Sequence, residues 1–248
     1  MSTVVSREQA KAERRRALLA AAAQLFAERG FERVSLDDLG AAVGVSGPAV
    51  YRHFAGKQAV LAALLVDASA GLLDGARAVL AEHDTNANGA MRADGDARTD
   101  AASSIPDARQ MLRALVAFHV AFAVENPDVI RVQSADLESL ADADRRTVRG
   151  LQRQYVELWV DVLEALHPSE QRSLLRTRAH AAFGLMNSTP HSARGAARDT
   201  RAVLATMAEA ALSPATRYSP SAPSRADSPA PDSASVGAGT AMSVTDSV

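Results

Sequence analysis

The short segment that ends at Arg52 combines one strong hydrogen-bond donor with three residues, Gly47, Pro48 and Ala49, whose side chains are absent, small or apolar. A guanidinium can donate two parallel hydrogen bonds to a guanine, and small apolar side chains can contact thymine methyl groups. If Gly47, Pro48, Ala49 and Arg52 lie on one exposed helix, we expect them to face base edges in a DNA major groove, with close backbone approach at Gly47. Arg52 on a solvated face without a base partner is the alternative.

The helix that precedes this segment is predicted from its cap and its apolar spacing. Ser35 and Asp38 have the spacing of a capping box, although Asp stands where Glu or Gln is usual, so the return bond from the acid is left open. Apolar residues then recur at i, i+3 and i+7, at Leu36, Leu39 and Val43. Gly40 inside this helix costs roughly 1 kcal/mol relative to Ala unless close packing requires it.

A tight turn and a second short helix follow. Gly44 can adopt the left-handed conformation that a sharp helix stop needs. Ser46 is the next N-cap candidate, and Pro48 lies in the first turn, where a missing amide hydrogen costs little. Val50 and Phe54, at i and i+4, are expected to face inward. Two short helices with such a turn predict a helix-turn-helix, the layout of many DNA-binding elements.

Most of the remaining chain has helical periodicity, which predicts an all-α fold. Long helices are predicted at residues 14–29, 56–82, 106–126, 142–166, 169–187 and 193–212, with a short one at 128–135. We expect a flexible arm at 1–13, a mobile loop at 83–104 and a disordered tail at 213–248. The expected domains are a helix-turn-helix DNA-binding domain at 14–58 and a helical domain at 59–212.

The charge is distributed unevenly, although the whole chain of 248 residues carries only −2. Residues 1–66 contain nine Lys and Arg against six Asp and Glu, and the remainder is acidic. A mildly basic end on an acidic body fits DNA contact at one end only, although a solvated mixture of charges would look the same. No signal peptide and no uncharged apolar stretch of 18 residues is visible, so we expect no membrane span and a cytoplasmic location.

Motifs of the common enzyme classes are missing from the sequence. It has no Gly-x-Ser-x-Gly elbow, no P-loop and no dinucleotide fingerprint. The six histidines show no metal-ligand spacing, and the lack of cysteine excludes a disulfide framework, a thiol–metal site and a Cys nucleophile. We therefore expect a protein that is not an enzyme and that needs no cofactor or metal.

Four consecutive pieces of the chain resemble the N-terminal domain of the TetR (tetracycline-repressor-like) family of bacterial regulators. They are RRRALLAAAAQLFAERG (residues 14–30), FERVS (31–35), VGVSGPAVYRHF (43–54) and GKQAVLAALL (56–65). Gly40 and Val43 depart from the family, which often has Ala at these places. The resemblance implies a three-helix DNA-binding domain followed by a helical ligand-binding and dimerisation domain.

The resemblance also implies that Tyr51, His53 and Lys57 contact DNA phosphates, which set the register of binding and carry little sequence information. Helix N-termini at Ser35 and Ser46 could present amides to phosphates as well. Two alternatives stay open. Tyr51 could be a half-buried packing residue, and His53 could cap its own helix.

The C-terminal helices resemble the family in number and length only. In the family the last two long helices form the dimer interface, which here implies a homodimer through helices 169–187 and 193–212. Small residues on these helices would allow close helix approach, at Ala179, Ala182, Gly184, Ala205 and Ala208. Ordinary core of a single chain is the alternative.

An effector site is expected among the helices of the larger domain, where an apolar cavity with a few polar points would suit a small molecule. The candidate residues are Phe118, His119, Phe122, Tyr155, Trp159, His180, Phe183 and Asn187. Each of them could instead be ordinary core. Residues 184–194 could bind a polar head group, or could cap a helix and form the next turn.

These expectations combine into a ligand-responsive regulator that binds a palindromic DNA operator as a dimer. By the resemblance, it is a repressor that a small hydrophobic effector releases, with the helix at 56–82 transmitting the change. The alternative is a helical protein-interaction module without DNA binding.

Overall fold

The computed structural model describes residues 2–93, 101–192 and 197–213. Over these residues the chain is helical and has no strand, which confirms the all-α fold class. The helices are α1 (Ser2–Arg29), α2 (Leu36–Ala42), α3 (Gly47–Val50), α4 (Lys57–Ala93), α5 (Ala101–Glu125), α6 (Pro127–Asp136), α7 (Asp142–Leu166), α8 (Arg172–Met186), α9 (Thr189–Ser192) and α10 (Ala197–Leu212).

The first four helices enclose an N-terminal core. Leu18 and Phe26 of α1 are fully buried, and the Phe26 ring meets Phe31 edge to face with 5.4 Å between the centroids. Val132 of α6 and Val148 of α7 are buried in the same cluster. The helix-turn-helix is therefore packed directly on the larger part of the chain, and both parts belong to one compact unit.

The helix α4 connects the N-terminal core to the core of the body. Val60 and Leu61 lie in the first, and Leu73 and Ala76 lie in the second. By length and composition the stretch Lys57–His83 could cross a membrane, although the sequence pattern had predicted no such segment. The helix packs against α1, α5 and α7, and this central position accounts for its apolar character.

The body core is built from α5, α7, α8 and α10 around the fully buried Trp159 and Leu163. Ala179, Ala182 and Ala208 are buried in this core. Three of the small residues that were expected at a dimer interface therefore pack within a single chain. Large apolar side chains nevertheless remain exposed on α8 and α10, at Leu174, Val203 and Met207.

The expected flexible arm at 1–13 is helical from Ser2 onward. Residues 2–13 contain no Gly or Pro, and their Ala, Gln, Glu, Lys and Arg favour helix. The helix expected at 14–29 can therefore continue toward the N-terminus without interruption.

The expected mobile loop at 83–104 is also largely helical, because α4 continues to Ala93 and α5 begins at Ala101. Residues 84–93 contain one Gly and no Pro. Asn and Asp lower helix propensity by less than about 1 kcal/mol each, so an established helix can continue through them. Residues 94–100 and 193–196, and the expected tail from 214 onward, lie outside the described residues.

Candidate DNA interface and effector cavity

The start of α2 is held by a complete capping box. The Asp38 amide donates to Ser35 Oγ at 3.1 Å, and the Asp38 carboxylate accepts from the Ser35 amide at 2.8 Å. The hydrogen bonds from Ser35, together with the charge of Arg29, hold the pKa of Asp38 below its usual value. The Ser35 hydroxyl also donates to Asp38, so neither the amide nor the hydroxyl of Ser35 is free to bind a phosphate.

The turn between α2 and α3 has no room for a side chain at Gly40. Gly44 has a φ of 71°, as the sequence predicted, and the Val45 amide donates to the Gly40 carbonyl at 2.8 Å. A Cβ atom on Gly40 would lie 2.7 Å from the Val45 carbonyl oxygen. This close backbone approach is the packing reason for a glycine inside the helix.

The same close packing brings α3 onto α2. Gly47 is buried, and a Cβ atom added to it would lie 1.7 Å from Oδ1 of Asp37. Gly47 is therefore packed against the Asp37 side chain of α2, and its approach to DNA bases stays a prediction. Val50 and Phe54 are buried as expected, which fixes the side of α3 that faces outward.

The outward side of the helix-turn-helix carries Pro48, Tyr51 and Arg52. The Tyr51 side chain is 61% exposed, Pro48 and Arg52 are exposed, and Ala49 is half-buried. The α-helix itself ends at Val50, so Tyr51 and Arg52 lie in the turn that follows it. This surface presents one guanidinium and one phenol hydroxyl, which are suited to base and phosphate contacts.

The Lys57 ammonium forms hydrogen bonds within the protein. It donates to the carbonyls of Phe31 and Glu32 at 2.9 and 3.0 Å and lies 4.4 Å from the centroid of the Phe31 ring. These contacts tie the start of α4 to the connector that follows α1. The expectation that Lys57 contacts phosphate conflicts with this arrangement, because two of its three N–H donors are bonded to carbonyls and the ammonium also lies over the Phe31 ring.

His53 lies half-buried in basic surroundings. Its Nδ1 is buried without a hydrogen-bond partner among the described residues. Burial lowers the pKa of His53, and the positive charges of Lys11, Arg14, Arg52 and Arg15 lower it further. The imidazole is therefore neutral near pH 7, and the surface around it is strongly positive.

Three of these charges, Lys11, Arg14 and Arg15, belong to α1 and were missed in the sequence reasoning. Arg14 Nη1 donates to the Val43 carbonyl at 3.1 Å, and the Arg15 guanidinium lies 5.4 Å from the centroid of the Phe54 ring. Both contacts place α1 against the helix-turn-helix. Helical spacing of the basic residues before position 16 was the available signal, and for Lys11 the expectation of a flexible arm at 1–13 obscured it.

A cavity of about 210 Å³ lies among α4, α5, α6, α7 and α8. Five of the eight predicted effector residues line it, namely His119, Tyr155, His180, Phe183 and Asn187. Polar residues that the sequence reasoning missed line it too, namely Ser69, Gln133 and Gln152. Their polarity alone gave no signal, because most Ser and Gln side chains in such helices face solvent.

His119 is the centre of a buried polar cluster. Its Nε2 donates to Asn187 Oδ1 at 3.1 Å, because this oxygen can only accept, and its Nδ1 accepts from the Tyr155 hydroxyl at 2.9 Å. The imidazole is stacked with Phe183 at 5.1 Å between centroids. Burial lowers the pKa of His119 to about 4 and raises that of Tyr155, so both side chains are neutral at pH 7.

The other predicted effector residues lie outside this cavity. Phe118 packs on α4, where a Cβ atom on Gly75 would lie 2.2 Å from its ring. Phe122 lines a separate cleft beside α1 and α4, and Trp159 is fully buried behind the ring of Phe183. These three aromatic residues support the walls or fill the core, as the alternative interpretation allowed.

An open groove of about 930 Å³ adjoins the cavity along α7. Gln152, Val156 and His180 line both spaces, so the groove and the cavity are neighbours. Basic side chains line the groove, at Arg77, Arg149, Arg153 and Arg176. Arg176 is paired with Glu157 at 2.7 Å, whereas no ion pair involves Arg153 among the described residues.

The structure thus combines a helix-turn-helix, the layout of many DNA-binding elements, with a helical body that holds a polar-centred cavity. Residues 18–64 match the family model of bacterial regulatory proteins of the tetR family, and residues 106–191 match the tetracyclin repressor-like C-terminal domain. The chain belongs to the TetR family of transcription regulators.

Comparison with known proteins agrees with this family. The HTH-type transcriptional activator FasR of Mycolicibacterium smegmatis is 37% identical over 68 residues, which are 27% of this chain and 31% of that protein. The match thus spans about a third of the curated relative.

Solved structures extend the similarity to most of the chain. A bacterial regulatory protein of the tetR family from Rhodococcus RHA1 superposes with a TM-score of 0.60 at 20% identity, covering 81% of this chain and 97% of that one. The regulator FadR from Bacillus subtilis, solved with stearoyl-CoA, gives 0.56 at 13% identity, covering 79% and 97%. At these identities the similarity establishes the fold.

Proposed function

We propose that this chain is a cytoplasmic repressor that binds a palindromic operator as a homodimer and leaves it when a small, largely apolar effector binds. The proposed DNA binding is supported mainly by the exposure of Tyr51 and Arg52 on a helix-turn-helix. Close backbone packing at Gly40 fixes the turn of this element. Arg52 would contact a guanine, and Tyr51 would contact a phosphate.

The proposed homodimer is supported by the exposed apolar side chains of the last long helices. Leu174 on α8 is 49% exposed, and Val203 and Met207 on α10 are 56% and 51% exposed. Covering such side chains with a second copy removes apolar surface from water. A twofold protein also matches a palindrome whose half-sites lie about one helical turn apart.

We propose an amphiphilic effector of the acyl thioester class. An apolar chain would enter the cavity beside His119 and Phe183, and an anionic head group would lie in the adjoining groove near Arg153, which has no ion pair among the described residues. The similar fold of FadR was solved with stearoyl-CoA, a molecule with this division of properties.

Effector binding is proposed to reach the DNA through α4. Ser69 and Leu72 of this helix line the cavity, and Lys57 at its start is bonded to the connector at Phe31 and Glu32. The effector must bind the DNA-incompetent conformation more tightly, and the coupling is reciprocal. A coupling of about 1–3 kcal/mol would change operator affinity by about 5–150-fold.

Fluorescence anisotropy with the promoter DNA of the chain's own gene tests this proposal. The full chain should bind in a salt-sensitive manner, and stearoyl-CoA should weaken binding. Arg52→Ala should cost about 1–3 kcal/mol and relax the preference at one base position. The matched control is Arg146→Ala, an exposed arginine on α7 whose loss should leave the affinity unchanged.

The outcomes separate the alternatives. An equal loss of affinity on all DNA sequences would make Arg52 a phosphate contact. Tighter binding with stearoyl-CoA would indicate that the effector promotes DNA binding. Lack of salt-sensitive binding to this promoter and to its neighbours would favour a protein-interaction module without DNA binding.

A further inference from the structure

The N-terminal turns of α1 carry a row of exposed basic side chains. Arg7, Lys11 and Arg14 have the i, i+4, i+7 spacing of one helix face, and all three are exposed. Leu18 and Leu25 lie on the same face, 11 and 18 residues after Arg7, and are buried in the N-terminal core. This face of α1 is thus apolar inside the core and basic where the helix extends beyond it.

This basic stripe, defined as Arg7, Lys11 and Arg14, adjoins the helix-turn-helix. Arg14 is hydrogen-bonded to the carbonyl of Val43, the residue at the C-terminal end of α2. Its neighbour Arg15 lies over the Phe54 ring at the other end of the element. The stripe therefore begins at the turn between α2 and α3 and continues away from it along α1.

The charges of the stripe are available to a partner. No ion pair involves Arg7 or Lys11 among the described residues. Glu13 lies roughly 240° around the helix from Arg7, whereas Glu8 is three residues before Lys11 and borders the stripe without forming an ion pair with it. Exposed, unpaired positive charge beside a DNA-binding element is complementary to a phosphate backbone.

We propose that the basic stripe binds the DNA backbone that flanks the bases contacted from α3, so that each protomer covers more DNA than its helix-turn-helix alone. From Arg7 to Arg14 the helix rises about 10 Å. Each strand of duplex DNA carries one phosphate per about 3.4 Å of axis, so this length can contact two or three phosphates of one strand. The proposal rests on the DNA-binding function proposed above, and the stripe adds affinity and register without reading bases.

The test compares two double variants of the full chain. Arg7→Ala with Lys11→Ala removes two charges from the stripe. The matched control, Arg16→Ala with Arg146→Ala, removes one exposed charge from the opposite face of α1 and one from α7. Arg16 is nine residues after Arg7, which is half a turn around the helix. Both are measured by fluorescence anisotropy over a series of KCl concentrations, on a duplex selected by the wild-type chain from a random-sequence library.

We expect the salt slope of the stripe variant to fall by about 0.9 for each lost phosphate contact, or about 1.8 per protomer, while the control keeps the wild-type slope. Trimming the base pairs outside the palindrome should weaken the wild-type chain and leave the stripe variant unaffected. The charge-preserving variant Arg7→Lys with Lys11→Arg should restore the wild-type slope, which separates charge from helix stability.

Three results would overturn the proposal. An unchanged slope in the stripe variant, with affinity still dependent on Arg52, would remove the stripe from the interface and leave the proposed function intact. An equal fall in the control would show a general charge effect. Failure of the wild-type chain to select any duplex would refute DNA binding itself, and the stripe with it.

Discussion

The helix-turn-helix and the candidate effector cavity depend on opposite kinds of residue. In the first, Gly40 matters because it lacks a side chain, and the backbone of the turn after α2 occupies the space that its Cβ atom would fill. In the second, His119, Tyr155 and Asn187 place polar groups inside an apolar core and satisfy one another there. Backbone contact gives the helix-turn-helix one fixed shape, whereas the cavity is organised by hydrogen bonds between side chains.

This difference has an energetic consequence. A tightly packed turn responds to added volume, because neighbouring backbone atoms cannot move without displacing the helix. A buried polar cluster responds to protonation and to loss of a partner, because an unpaired polar group in a core costs about 1–3 kcal/mol. The two regions should therefore fail under different perturbations.

Lowering the pH should destabilise mainly the helical body, where His119 is buried. The pKa of His119 is about 4 in the folded chain against 6.5 in the unfolded one, so its contribution to stability is complete above pH 6.5 and is lost as the pH falls toward 4. The loss should approach about 3 kcal/mol. Urea unfolding of the wild type and of His119→Phe between pH 7 and pH 4 measures it, and the variant should show the shallower dependence.

The control for this experiment is His180→Phe, which removes an imidazole from the exposed side of the same cavity. This variant should lose as much stability as the wild type between pH 7 and pH 4, because His119 is still present. Identical pH profiles for wild type and His119→Phe would show that the buried imidazole takes up its proton without cost, and the contrast between the two regions would disappear.

Added volume should act mainly on the helix-turn-helix. Gly40→Ala should lower the free energy of unfolding by about 1–3 kcal/mol, although Ala is the better helix former, because its Cβ meets the Val45 carbonyl. DNA affinity should fall with it. Gly71→Ala on α4 is the control, since nothing lies within 4 Å of the added atom there. The control should stabilise by up to about 1 kcal/mol, and an equal gain in Gly40→Ala would contradict the packing argument.

The smallest effect concerns the junction between the two regions. Lys57→Met keeps the aliphatic stem and removes the ammonium that binds the Phe31 and Glu32 carbonyls, so unfolding should become easier by about 1 kcal/mol. The salt slope of DNA binding should stay unchanged. A fall of about 0.9 in the slope without a change in stability would instead make Lys57 a phosphate contact, as the family resemblance implied.

Much of the helix-turn-helix could be predicted because its signals are local. Ser35 and Asp38 are three residues apart, and Gly44 needs only its own φ to end α2, so both were visible in the sequence. The role of Gly47 was not, because its partner Asp37 lies on another helix. Local patterns also misled at residues 2–13 and 84–93, where polar composition suggested irregular structure and the helices simply continued.

The cavity could be predicted only as a set of candidates. Phe118, His119 and Phe122 lie within one wide face of α5, and periodicity marks all three as inward. In the structure, Phe118 packs against α4, and Phe122 lines a cleft beside α1. His119 forms hydrogen bonds with Tyr155 of α7 and with Asn187 at the end of α8. Which neighbour each one meets depends on how four helices are arranged, and the spacing of residues along one helix does not contain that information.

The amino-acid sequence by itself determined the helical fold class, the helix-turn-helix, its cap and its turn, and the family to which the chain belongs. These follow from motifs and interactions that join residues only a few positions apart in the sequence. Only the tertiary structure decided that Gly40 and Gly47 are packing residues, that Lys57 bonds to a connector, and that His119 joins Tyr155 to Asn187. Each of these contacts joins residues on separate elements, whose approach is set by the packing of the whole core.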